Sequence, residues 1–237
     1  MEFALLLMLG WVAGWLTTVA GLGGGVLLVL ALSLRTSPAE ALALSSPALL
    51  VGNLHRWRVG RRDVDMRVAA PFAIGALPGS ALGGLLVVAM PTLLLQVLLV
   101  LTSALALARA LGWWMPRPPA AALVPAGAAI GAVAATTGSA GLAVGALLQS
   151  AGLTGAAYVA TAAATAVAMH VGRLAAYGFG GLLTGETALQ SGVLALAILA
   201  GNLVGGRVRK RLPAEACTRI ELGVLFVCVA LALAGLS

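Results

Sequence analysis

Acidic side chains are scarce in this chain: seven Asp and Glu among 237 residues, against fourteen Lys and Arg. Glu40, Asp63, Asp65, Glu186 and Glu215 fall at expected segment ends or loops, and Glu2 at the terminus. Glu221 is expected to be shallowly buried beside an arginine. No acidic pair is therefore expected at membrane depth, which argues against a sodium site or a carboxylate proton relay. Cysteine is nearly absent as well. Cys217 and Cys228 fall on one expected helix, roughly 16 Å apart along its axis, so they cannot pair with each other. Two histidines and two separated cysteines make no metal constellation. Charged residues are 9% of the chain, too few for a soluble domain, and no long polar stretch marks out a second domain. The opening "MEFALLLMLGWVAGW" lacks a basic leader, so it is read as a retained membrane segment.

What remains is apolar: 61% hydrophobic residues and a mean hydropathy of +1.08. Runs of about 20 apolar residues recur from end to end, as in a polytopic helical membrane protein. The short alternating strands of a β-barrel are not visible. A net charge of +7 could suggest nucleic acid, but in such a chain basic residues are topology signals, and no nucleic-acid partner is expected. The apolar segments are 3–20, a short 26–34, 39–53, 68–89 and 93–111. After the break "GWWMPRPPAA" they resume as 121–137, a short 142–151, 156–177, 187–204 and 214–236. Pro116, Pro118 and Pro119 cannot continue a helix and divide the chain into halves, 1–114 and 120–237.

The second half repeats the first. "TTVAGLGGGVLLVLAL" aligns with "AATTGSAGLAVGALLQ", setting Gly21 against Gly138. The same register sets Asn53 against His170 and Arg56 against Arg173. "GSALGG" at 79–84 then aligns with "GNLVGG" at 201–206, and "MPTLL" with "LPAEA". Their shared order indicates a duplication.

Basic residues choose between two topologies. If each glycine-broken pair crosses the membrane once, each half has four crossings, and the clusters at 56–67 and 207–219 land on opposite sides. If each pair is a re-entrant hairpin, each half has three further crossings and the repeats are inverted. Twelve of the fourteen Lys and Arg residues then fall on the cytoplasmic side, as the positive-inside rule requires. The expected fold is therefore all-α and polytopic, with two inverted repeats, each a glycine-broken re-entrant hairpin plus three transmembrane helices.

The glycine runs are the main candidate site. A phosphate loop would need a soluble βαβ context, which is absent. Broken helices at the membrane midplane instead leave N–H donors and helix N-termini free to attract anions. The competing reading is that these glycines serve only close helix packing, which is preferred for Gly79-x-x-x-Gly83 and Gly201-x-x-x-Gly205. The expected substrate-binding set is Thr18, Gly21, Gly23, Gly24, Gly25, Asn53, Thr137, Gly138, Ser139, Gly141 and His170. Gly23 and Gly24 are expected at the hairpin tip, facing an aqueous cavity. His170 is suited to bind an anion, to carry a coupling proton or to bond a neighbouring helix. Arg173 either meets the anion or snorkels to an interface, the latter being preferred. Ser45, Ser46, Thr161 and Thr165 either line a cavity or bond back to their own helices.

With these features in place, the chain resembles the sulfite exporter family of the TauE/SafE type over nearly its whole length. The resemblance rests on Gly21-x-Gly-Gly-Gly25, "AEALALSS" at 39–46, "YVATAAATA" from Tyr158, "HRWRVGRRDVD" at 55–65 and "GNLVGGRVRKRLP" at 201–213. Leu30 stands where the family often has proline, and the second glycine motif is reduced to "GSAG". The resemblance implies a bacterial inner-membrane transporter of small anions, often sulfur oxyanions or organosulfonates. A secondary exporter working by alternating access is the leading expectation, an anion channel the runner-up. An intramembrane enzyme would need a nucleophile with a base, or a metal, and neither is apparent. The expected partners are a small anion and the bilayer, with a homo-oligomer compatible and no cofactor.

Overall fold

The computed structural model describes residues 2–20, 23–111, 119–138 and 140–235, and the described chain is helical throughout with no strand. The first half contains α1 (Phe3–Val19), α2 (Gly24–Ser33), α3 (Pro38–Val59), α4 (Met66–Ala89) and α5 (Thr92–Ala110). The second contains α6 (Leu123–Thr137), α7 (Ala140–Ser150), α8 (Gly155–Phe179), α9 (Gly185–Arg209) and α10 (Ala214–Ala234).

Local chemistry sets these boundaries. A capping box of Ser37 and Glu40, with Pro38 in the first turn, starts α3. Asp65 and Thr184 cap α4 and α9 through their side chains. Gly138, at φ +65°, ends α6 in the left-handed conformation that glycine adopts without strain. Gly23, at φ +93°, turns the chain into α2. The helix α3 runs six residues beyond its expected end at Asn53, because the apolar run stops there while the helix does not. Arg56 and Arg58 are thus helical residues and not the start of a loop.

By length and composition, α4, α8, α9 and most of α10 can cross a membrane. At 22 residues, α3 is about 33 Å long and also sufficient, though it carries Glu40, His55, Arg56 and Arg58. Large apolar residues such as Ile74, Leu82, Leu105, Leu196 and Phe226 face outward, as a lipid-facing surface requires and a water-facing one does not. The chain is a multi-pass membrane protein.

Helix directions follow from which residues meet. Along α1 and α9, Gly10 packs on Leu194 and Ala197, Gly14 on Ile198, and Gly205 on Trp15 and Thr18. The numbers rise together, so the two helices are parallel. The same holds for α4 with α6, where Gly75, Gly79 and Gly83 meet Val124, Ala128 and Ala132. It holds for α4 with α8, where Gly172 meets Leu77 and Gly180 meets Val88. It also holds for α3 with α9, through Ser191 Oγ to the Leu44 carbonyl and Asn202 Nδ2 to the Gly52 carbonyl. At the centre α3 and α8 are antiparallel, since Asn53 meets His170 while Gly60, at the end of α3, lies against Ala160. Thus α1, α3 and α9 run one way, and α4, α6 and α8 the other.

Gly25 lies against Leu49, and Gly138 touches both Val29 and Leu42, so α2 runs antiparallel to α3. It is therefore antiparallel to α1 as well, and α1–α2 is a hairpin that returns towards the face it came from. Small residues set the close approach of the long helices. A Cβ on Gly75, Gly79 or Gly83 would collide with a backbone carbonyl of α6, and one on Gly14 or Gly201 with the carbonyls across the α1–α9 contact.

Candidate functional site

The two helix breaks converge on the antiparallel contact of α3 and α8. At the first, α1 ends and leaves its last carbonyls without helical partners. Arg56 Nη1 donates to the Thr17 carbonyl at 2.9 Å, and Arg209 Nη1 to the Thr18 and Val19 carbonyls at 3.1 and 2.9 Å. At the second break, Arg173 Nη1 reaches the Ala134 carbonyl at 3.5 Å and Tyr177 Oη donates to the Ala135 carbonyl at 2.6 Å. Cations at helix C-termini are favoured by the macrodipole. Arg56 to Thr17 and Arg173 to Ala134 span the same 39 residues, so the repeat register reappears in the contacts.

Between the arginines runs a four-residue polar chain. Arg56 Nη2 donates to Asn53 Oδ1. Asn53 Nδ2 lies 3.1 Å from His170 Nε2 and also donates to the Leu49 carbonyl at 2.8 Å. Arg173 Nη2 lies 2.5 Å from His170 Nδ1. Asn53, His170 and Arg173 are 6%, 8% and 2% exposed. Arg173 Nε is buried with no hydrogen-bond partner among the described residues.

A cavity of about 60 Å³ opens beside this chain, lined by all four of its residues together with Thr17, Gly23, Gly25, Val26, Gly138, Val144 and Met169, among others. A single water needs roughly 10–15 Å³ on this measure, so a small ion fits. Among the described residues no Asp or Glu lines it. The first turn of α2 faces it with no side-chain cap on its N–H groups, the arrangement that favours anions. A buried guanidinium without a counter-ion costs several kcal/mol, so an anion here would relieve a standing penalty. Arg56 also lines a wider vestibule of about 470 Å³ at the basic end, shared with His55, Asp63, Arg207, Arg209 and Lys210.

The expected site residues divide as follows. Gly23, Gly25, Asn53, Gly138 and His170 line the cavity. Gly24 does not face it, because a Cβ there would run into the Ala13 carbonyl and Thr17 on α1. Thr18 donates to Asn202 Oδ1 at 2.9 Å and lines the vestibule instead. Thr137 Oγ1 donates to the Val133 carbonyl at 2.8 Å. Gly141 lies in the first turn of α7. Gly21 and Ser139 lie outside the described residues. Ser46 and Thr165 bond their own helix carbonyls. The preference for snorkelling at Arg173 is overturned, since it is fully enclosed and lines the cavity. Arg56, read from sequence as part of a topology signal, likewise borders the cavity. The signal that could have singled out both arginines was their alignment across the two halves, each one turn beyond Asn53 or His170.

The sequence matches the profile of the family described as Sulfite exporter TauE/SafE over residues 6–233. No curated protein and no solved structure shows significant similarity to the chain. A match over nearly the full length shows that the chain belongs to that family.

Proposed function

We propose that this member of the sulfite exporter TauE/SafE family is a secondary transporter that exports a small oxyanion, a sulfur oxyanion or organosulfonate, by alternating access around the cavity between its two hairpins. The observation that carries the proposal is a cavity bordered by Arg56 and Arg173 with no carboxylate beside them. The two halves act as inverted repeats. In support, α1, α3 and α4 run opposite to their counterparts α6, α8 and α9, and exchanging each helix for its counterpart carries the α1–α9 contact onto α6–α4 and α3–α9 onto α8–α4. Such repeats supply the two-fold relation on which rocking between inward-open and outward-open states depends.

The vestibule supports the direction. It lies at the end carrying Arg207, Arg209 and Lys210, which the positive-inside rule assigns to the cytoplasm. This conformation is then the one that loads from inside. An interior-negative potential favours anion exit by about 2.3 kcal/mol per charge per 100 mV. In a chain lacking Cys217 and Cys228, single cysteines at positions 61 and 210 should both react with an impermeant reagent from the cytoplasmic side only. Labelling from opposite sides would reject the inverted arrangement.

A binding screen tests the substrate class. Purified full-length protein should be stabilised against heat by sulfite, thiosulfate or a small sulfonate, and not by cations or by neutral sulfones of similar size. Stabilisation by none of these anions would count against the reading of the cavity.

A further inference from the structure

The four groups between the hairpins do not balance as hydrogen-bonding partners. Three links join them: Arg56 to Asn53, Asn53 to His170, and His170 to Arg173. Three links need three donors and three acceptors. An arginine only donates and is not deprotonated in proteins, an asparagine brings one donor and one acceptor face, and a neutral imidazole brings one of each. The supply is four donors and two acceptors, whichever way the amide is turned and whichever tautomer the ring takes. One link must set donor against donor.

The surplus can be located. Asn53 Nδ2 donates to the Leu49 carbonyl, which pins the amide and leaves Oδ1 to Arg56. The other Nδ2 hydrogen then points at His170 Nε2, which must accept, so the ring proton sits on Nδ1. That proton faces Arg173 Nη2, a second donor. Arg173 Nε, which has no partner among the described residues, adds another unmet donor at the same place, on the wall of the cavity.

We propose that the bound anion supplies the missing acceptor at His170 Nδ1 and Arg173, which makes His170 a specificity-determining residue selecting fully deprotonated, acceptor-only oxyanions over ligands that themselves donate. This rests on the anion-site reading above and says which anions the site takes. A second proton on His170 would raise the surplus to two donors, so the same chain disfavours the proton-carrying role for which the residue type is otherwise suited.

The test uses the full-length protein in lipid nanodiscs, with sulfite in mildly alkaline buffer, where it is the dianion, as the probe. The chain has two histidines, whose ¹⁵N imidazole signals are assigned with a His55→Gln variant. His170 is expected to be neutral and Nδ1-protonated with and without sulfite, and its Nδ1 signal to shift when sulfite accepts that proton. An imidazolium, an Nε2-protonated ring, or an Nδ1 signal unmoved by sulfite that demonstrably binds, overturns the inference and leaves the anion site standing. If neither sulfite nor any other oxyanion binds, the anion-site reading itself falls. Two variants give an independent check. His170→Gln keeps one donor and one acceptor, so it should still bind sulfite. His170→Glu offers acceptors only, satisfies all three links internally, and should bind sulfite roughly tenfold or more weakly while being the more heat-stable of the two in anion-free buffer. The reverse order of stability would contradict the donor surplus.

Discussion

Replacing Arg173 by Gln is expected to weaken anion binding at least a hundredfold while leaving the anion-free protein about as heat-stable as the parent. The guanidinium is enclosed, lines the cavity and has an unpartnered Nε. Losing two charge-assisted hydrogen bonds at ~1.5–3 kcal/mol each gives roughly that factor or more. The stability expectation runs against intuition for a buried residue. A buried charge without a counter-ion is a liability, and removing it recovers desolvation energy. That gain offsets the lost contact to the Ala134 carbonyl, which at 3.5 Å is a weak one. Titration calorimetry and thermal unfolding on one preparation check both halves. An arginine that only held the hairpin in place would show the opposite pattern, a lower unfolding temperature with unchanged affinity in the folded fraction.

The second large effect separates two adjacent glycines. Gly24→Ala is expected to destabilise the protein by about 1–3 kcal/mol or more, because the new methyl would enter the Ala13 carbonyl and Thr17 on α1. A side chain can rotate away, but a helix carbonyl cannot. Gly25→Ala should fold normally, since its Cβ would meet only Leu49 methyls at 3.4 Å. Gly25 lines the cavity, so the methyl takes up part of a volume that is already small, and affinity should fall. Unfolding temperature is therefore the readout for Gly24 and anion affinity the readout for Gly25. A Gly24→Ala protein with parental stability would overturn the account of how α2 docks on α1.

The expectation that Gly24 presents a donor to substrate came from treating the glycine run as one unit. Consecutive residues at a helix start point about 100° apart, so Gly25 can face a cavity while Gly24 faces a neighbouring helix. No pattern in the run itself distinguishes them, because the distinction depends on where α1 lies. The meeting of Asn53 with His170, 117 residues apart, was legible from the matching places they hold in the aligned halves of the sequence. Apolar runs likewise delivered the helices, while their caps emerged only in the fold. Arg56 and Arg173 were harder to read. Their burial follows from carbonyls in the last turns of α1 and α6, which come near only once the chain folds back at the two helix breaks. That Thr18 faces the vestibule could not be read for the same reason: its partner Asn202 is 184 residues away, on a helix that meets α1 through glycines.

The most direct test of transport at this site is counterflow in proteoliposomes. Vesicles preloaded with unlabelled sulfite should take up external radiolabelled sulfite faster than empty ones, with saturable dependence on concentration. Both the acceleration and the saturation should disappear in Arg173→Gln. Uptake that rises linearly with concentration, ignores the internal anion and persists in Arg173→Gln would contradict a carrier built around the cavity between the hairpins.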